Sequence, residues 1–457
     1  MMFAVVANCS KKESTTKGTV YFGGQIINPK SSKVYIYKNE ELIDSAQLNN
    51  QRRFSVKMDE IEEGLYSFHH GNEYQHLYLM PNDSLLIRLN TWDFDESLVF
   101  SGKGSERNNF LLNLYLENQE EEKQFYKFYA LDEVKFQKKT DSILDRKKLL
   151  YDQFSQQVVQ QPALFKKYAE ASIYYPIYMR KEIYQYRHRK VSKKDNFEHL
   201  DPGFFKFRKK IDINDKDLKN YYPHYNYVAA YLYHLAKDNR MSAPTEEKKD
   251  EKIYYMHNVI KHIKNQDIKD WFLVRAMWDI LLDEGLTDEE RNQAKRYFFD
   301  HCSDSLSIAK ITHLINASSN VTKGNPLPNI SLLSFKDSTV NLADVVKDKN
   351  TVLYTWPKKT NEIDYLAKRV NYLQNKYPDI NFLGINSKLP TSKWKHEIVA
   401  KNLPVEKQFK TVGDIDWLAI DFSRAILIDR NGKVQNNLTH LTYGQIEQQI
   451  ARLKNNN

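Results

Sequence analysis

Asn350-Thr351-Val352-Leu353-Tyr354-Thr355-Trp356-Pro357-Lys358-Lys359-Thr360-Asn361-Glu362-Ile363 is the stretch on which the reading of this chain turns. Its first seven residues are β-prone, with Val352-Leu353-Tyr354 a consecutive run without polar alternation, the pattern of a strand covered on both faces. Working outward, residues 364–377 have an apolar face at helical spacing. Ile380-Asn381-Phe382-Leu383-Gly384-Ile385 is a second buried-type strand, and residues 392–401 form a second helix. Ala425-Ile426-Leu427-Ile428-Asp429 and Lys433-Val434 flank Arg430-Asn431-Gly432, a hairpin signal. Residues 443–453 close the chain as a helix. The order β-α-β-α-β-β-α predicts an α/β domain over residues 323–457, with Pro326 and Pro328 marking its start.

Upstream the character changes. Residues 105–322 contain few turn signals, with Gly203 and Gly285 their only glycines. The run from Asp270 to Leu282 has an apolar face at helical spacing. Gly285 then acts as a stop, and Thr287-Asp288-Glu289-Glu290 reads as a capping box. The expectation is a helical region of five to eight helices. Residues 18–104 carry seven short β-rich runs: Val20–Phe22, Val34–Tyr37, Phe54–Val56, Leu65–Phe68, His76–Leu79, Leu85–Leu89 and Leu98–Phe100. Turn signals such as Lys38-Asn39-Glu40 and Pro81-Asn82-Asp83 separate them, predicting an antiparallel sandwich-like domain. The fold class is thus multidomain α+β: a β-sandwich-like domain, a helical middle and a C-terminal α/β domain.

The C-terminal order resembles the thioredoxin fold of the TlpA/ResA type. The carrying residues are Leu327-Pro328-Asn329-Ile330-Ser331-Leu332, Val340-Asn341-Leu342-Ala343-Asp344, the strand ending at Trp356, and Ile426-Leu427-Ile428-Asp429-Arg430-Asn431-Gly432-Lys433. The N-terminal region resembles an uncharacterised β-domain that precedes such domains in Bacteroidetes lipoproteins, on Leu79-Met80-Pro81-Asn82-Asp83-Ser84-Leu85 and on residues 100–108. In the thioredoxin-like family a Cys-x-x-Cys motif follows the strand, and a cis-proline faces it. Here the two cysteine positions hold Thr360 and Ile363, and the proline position holds Ser423.

That substitution decides the expected chemistry. Thiol–disulfide exchange needs a thiolate and a second sulfur to resolve the mixed disulfide. Residues 323–457 contain no cysteine, and no histidine lies within 30 residues of Thr360 to activate its hydroxyl. Thr360 is expected to cap the following helix. Cys302, in Arg296-Tyr297-Phe298-Phe299-Asp300-His301-Cys302, reads as a small core residue. The expectation leans away from an enzyme, toward a redox-inactive domain serving in binding or assembly. The alternative that the resemblance implies is a thiol–disulfide oxidoreductase that draws on a non-standard or partner-supplied thiol.

The chain opens Met1-Met2-Phe3-Ala4-Val5-Val6-Ala7-Asn8-Cys9, and Val6-Ala7-Asn8-Cys9 resembles a bacterial lipobox with Cys9 as the lipidation site. Residues 1–9 are therefore expected to be a signal segment and residues 10–17 a polar tether. This places the protein in the cell envelope on a lipid anchor, facing the periplasm, with surface display left open.

Composition sets the outer bounds. Two cysteines in 457 residues rule out a disulfide-stapled scaffold and a four-cysteine metal site. No run of 18 apolar residues exists. The net charge of +9 is modest for this length, and no nucleic-acid partner is expected. No cofactor or metal is expected either: His396-Glu397-Ile398-Val399-Ala400 lacks the second histidine of a zinc helix, and His257 and His262 fall on different helix faces. Gly102-Lys103-Gly104-Ser105-Glu106-Arg107 reads as a strand-to-helix junction. Between residues 160 and 240 stand 12 of the 30 tyrosines, with Tyr184, Tyr186 and Arg187 in a Tyr-rich, basic run. They read mainly as helix packing, with glycan or peptide binding as the functional alternative. Lys358 and Lys359 would stand at the start of the degenerate site helix and favour an acidic peptide, so the partner expected is an envelope protein or peptide of unknown identity.

Overall fold

The computed structural model describes residues 16–158, 160–193, 200–358, 360–418 and 423–455. The chain divides into two compact units, Met1–His234 and Leu235–Asn457.

In the first unit, eight strands form two four-stranded sheets. They are β1 (Lys17–Ile27), β2 (Lys33–Lys38), β3 (Glu41–Gln47), β4 (Arg53–Glu62), β5 (Gly64–His70), β6 (Glu73–Leu79), β7 (Ser84–Asn90) and β8 (Val99–Lys103). One sheet runs β4-β1-β7-β8 and the other β3-β2-β5-β6. Alternation decides which residues face inward: β4 reads exposed, buried, exposed along Arg53 to Met58. The inward residues of both sheets meet in one core, where Phe22 packs against Phe54 and Phe68 at 5.3 and 5.7 Å between ring centroids. The sandwich-like domain is therefore as expected, with one strand more and with one departure from the antiparallel reading, the parallel pairing of β1 with β7. β3 was not legible because Glu-Leu-Ile-Asp-Ser-Ala-Gln buries only Ala46 and leaves Leu42 and Ile43 in solvent. The junction after β8 is a left-handed turn: Gly104 has φ 101°, and a Cβ there would lie 2.8 Å from the Asp83 carboxylate. Asp83 is buried and accepts from Arg107 at 2.8 and 2.9 Å.

The helices are α1 (Ser105–Phe128), α2 (Glu133–Gln157), α3 (Ala163–Ser192), α4 (Tyr222–Ser242), α5 (Glu251–His262), α6 (Gln266–Leu281), α7 (Asp288–His301) and α8 (Ser305–Ser319). The first three and most of α4 belong to the first unit. There, Lys147 of α2 and Arg180 of α3, both buried, converge on Glu121 of α1 at 2.8 and 3.0 Å. The expected capping box opens α7: Glu290 N donates to Thr287 Oγ1, and the Glu290 carboxylate accepts from Thr287 N.

The second unit ends in a seven-stranded sheet, β10-β9-β13-β12-β11-β14-β15. Its strands are β9 (Ser331–Ser334), β10 (Thr339–Asn341), β11 (Thr351–Thr355), β12 (Asn381–Asn386), β13 (Gln408–Thr411), β14 (Ala425–Ile428) and β15 (Val434–Thr439). Its helices are α9 (Leu342–Val346), α10 (Thr360–Lys376), α11 (Thr391–Ala400) and α12 (Ile446–Asn455). β11, β12 and β13 run parallel through the crossover helices α10 and α11, and β14 and β15 return antiparallel. β11 and β12 are buried at every residue, as their unbroken apolar runs require. This domain is thioredoxin-like. The C-terminal half of the resemblance thus holds at the level of fold, with β13 added between the second helix and the hairpin.

Candidate functional site

The positions singled out in the sequence lie where β11 passes into α10. Trp356, the residue after β11, is fully buried, and its indole Nε1 donates to Gln408 Oε1 at 3.1 Å. The Tyr354 hydroxyl shares the same amide at 3.0–3.1 Å. Gly384 of the neighbouring strand leaves room for this cluster, since a Cβ there would lie 2.1 Å from Gln408 Oε1. Lys358 follows, exposed, while Lys359 lies outside the described residues. Thr360 is the first residue of α10. Ile363, one turn on, is 0% exposed and packs in the domain core with Leu366, Val370 and Trp394. The residue read above as standing at the second cysteine position is thus a hydrocarbon working as core.

Ser423 is half-buried, and its neighbour ties this segment to β11: Thr355 N donates to Arg424 O, and Arg424 N donates to Thr355 Oγ1, both at 2.9 Å. The structure therefore brings the segment of Ser423 beside the strand that leads to Thr360 and Ile363. Arg424 itself was not singled out in the sequence. It is fully buried, and its guanidinium donates to Asn437 O at 2.7 Å, Trp417 O at 2.6 Å and Ala317 O at 3.3 Å. Among the described residues its Nη2 finds no partner. Burial pulls its pKa down to about 10. Ala317 lies in the last turn of α8, whose unsatisfied carbonyls carry partial negative charge. Asn437 Nδ2 adds bonds to Ser318 O and Val321 O at 3.0 and 2.6 Å. The signal in the sequence was a charged residue placed directly before the apolar run Ala-Ile-Leu-Ile. Its acceptors, up to 107 residues away, were not readable.

Cys302 caps the C-terminal end of α7 and is 7% exposed. Burial pushes its thiol up to about 11, and the carboxylates of Asp270 and Asp304 act in the same direction. That environment is the reverse of the electropositive, accessible one that makes a reactive thiolate. The lipidation candidate Cys9 lies outside the described residues.

The Tyr-rich run needs a correction. Tyr184, offered above as part of a binding surface, is 1% exposed; it stacks on Phe136 at 4.2 Å and donates its hydroxyl to Leu131 O at 2.8 Å. Tyr186 is half-buried against Tyr233 and His234, and Arg187 alone of the three is exposed. Tyr168, Tyr221 and Tyr227 are likewise buried. A tyrosine has enough apolar ring to join a core when its hydroxyl finds an acceptor, and here helix packing takes them. Among the described residues no group of three or more His, Cys, Asp or Glu side chains is placed to hold a metal ion.

No protein-family model matches the sequence. No curated protein matches it either. Solved structures do match, over about three-tenths of the chain. A protein described as a thiol-disulfide oxidoreductase from Bacteroides vulgatus is 20% identical, covering 30% of this chain and 99% of its own, with TM-score 0.25. The thioredoxin domain of a thiol-disulfide oxidoreductase from the same organism is 21% identical over 28% of this chain and 99% of its own, with TM-score 0.24. A thiol:disulfide interchange protein from Bacteroides sp. is 18% identical over 29% of this chain and 92% of its own, with TM-score 0.24. The strand order described above, rather than these overlaps, assigns the fold.

Proposed function

We propose that this protein is an exported lipoprotein of the TlpA/ResA type, anchored through Cys9, whose thioredoxin-like domain binds protein or peptide in the cell envelope without exchanging disulfides. The observation that supports this most is Ile363: a fully buried isoleucine holds the helix turn where a resolving sulfur would have to stand. The scaffold around it is intact, down to the Tyr354–Gln408–Trp356 cluster and the Thr355–Arg424 pairing. An architecture kept without its electron-transferring atoms is suited to recognition. Lys358, exposed at the start of α10, favours an acidic segment there. The oxidoreductase alternative would need Cys302 as a thiolate, and burial together with two carboxylates opposes that charge. The test is reduction of insulin disulfides by the full-length chain in the presence of dithiothreitol, beside a Cys302→Ser variant. Both are expected at the rate of dithiothreitol alone, and turnover by the native chain that the variant loses would overturn the reading. Release of an acylated N-terminal peptide from membrane-bound protein would support the anchor.

A further inference from the structure

The outer face of the sheet β4-β1-β7-β8 combines cations with exposed apolar side chains. Register places three rows of residues across it. The first row is Lys57, Tyr21, Ser84 and Lys103; the second is Ser55, Gly23, Leu86 and Ser101; the third is Arg53, Gln25, Arg88 and Val99. Tyr21, Leu86 and Val99 are 49%, 51% and 57% exposed, an apolar diagonal across the face that is open to solvent. Leu86 lies across Gly23, 3.5 Å from where a Cβ would stand, so the middle of the face is flat. Four cations, Lys57, Lys103, Arg53 and Arg88, flank that diagonal, and the three rows hold no carboxylate. Asp59, one row beyond, is engaged by Thr19 at 2.6 Å and Lys57 at 3.2 Å. Among the described residues, no carboxylate is within ion-pairing distance of Arg53, Arg88 or Lys103.

We propose that this face docks on a bilayer surface rich in anionic phospholipid. Charge complementarity is the first argument: a flat face on which the unpaired cations Arg53, Arg88 and Lys103 flank exposed apolar side chains suits headgroups and acyl boundary together. Chain length is the second. Seven residues separate Cys9 from Lys17, where the sheet's own strand β1 begins. Fully extended they reach roughly 25 Å, less than the run of about 36 Å that β1 makes along this face. An anchor on so short a tether holds this sheet, rather than a distant part of the chain, against the membrane. The tether argument rests on the reading of Cys9 as lipidated; the charge and shape of the face do not.

The test uses the full-length chain carrying Cys9→Ser, so that no acyl chain contributes, in co-sedimentation with phosphatidylcholine vesicles with and without phosphatidylglycerol. Binding is expected to the anionic vesicles only, and to fall as salt is raised. Arg53→Gln with Arg88→Gln is expected to weaken it about twenty-five-fold, about fivefold for each cation, with an unchanged circular dichroism spectrum. Absence of binding at low salt, or equal binding by the double variant, would overturn the proposal. So would a dimer in sedimentation that Leu86→Glu dissociates, because the face would then belong to a second copy. An unacylated Cys9 in native protein would remove the anchor while leaving vesicle binding by this chain as expected, so the two readings fail separately.

Discussion

Arg424→Met is the perturbation whose outcome the structure constrains most closely. It removes the donors to Asn437 O, Trp417 O and Ala317 O and keeps an unbranched side chain in a fully buried space. A buried carbonyl left without a donor costs about 1–3 kcal/mol, so three lose about 3–9 kcal/mol in gross terms. Against this stands the cation's own burial. Among the described residues no carboxylate pairs with Arg424 and its Nη2 has no partner, and burial lowers its pKa from 12.5 to about 10. Relief of that burden returns roughly 3 kcal/mol. The difference spans about 0–6 kcal/mol, and its middle, a loss of about 3 kcal/mol in the unit that contains α8 and the thioredoxin-like sheet, is the expected net effect. Urea unfolding followed by tryptophan fluorescence reads it directly, because Trp271, Trp278, Trp356, Trp394 and Trp417 all belong to that unit and only Trp92 does not. An unchanged or raised midpoint would refute the reasoning. It would mean that the cost of burying the guanidinium exceeds what its three carbonyls return, and that the end of α8 holds its place without it.

Two further expectations concern the first unit. Gly104→Ala forces a side chain into φ 101° and to 2.8 Å from the Asp83 carboxylate, so thermal unfolding should show a loss of about 1–3 kcal/mol; an unchanged melting temperature would contradict the turn as described. Burial lowers the pKa of His76 from 6.5 to about 4, and that of His69 and His70 in the same direction. The folded state therefore favours the neutral rings, and their contribution is complete above pH 6.5 and is lost as the pH falls toward 4. His76→Phe, which retains the ring that stacks near Tyr222, should flatten this acid limb in denaturation measured across that range; an identical pH profile would show that His76 does not carry it.

How much of this was legible follows from where each signal lies. The strands β11 and β12 were readable because burial on both faces writes an uninterrupted apolar run. β13 was not, because it opens with Gln408, a polar residue that is fully buried only because Tyr354 and Trp356 bond its amide. The capping box at Thr287 was readable because all of its partners lie within four residues. Tyr184 was ambiguous because a tyrosine suits a core and a surface equally, and only Leu131 O and Phe136, distant in sequence, decide between them. The degenerate site was legible in its chemistry, since cysteine either stands at a position or does not. Its setting was not legible: the segment of Arg424 is held by residues 317, 417 and 437.

The central claim is that a thioredoxin-like scaffold is complete here except for its sulfur, and the direct measurement is to supply that sulfur. Thr360→Cys with Ile363→Cys, introduced together beside Cys302→Ser, should give a folded protein that loses two hydrogens on mild oxidation and then turns over insulin disulfides. The native chain measured in parallel should stay at the chemical background. A folded double variant that cannot close the disulfide, or a native chain that reduces insulin above background, would contradict the account.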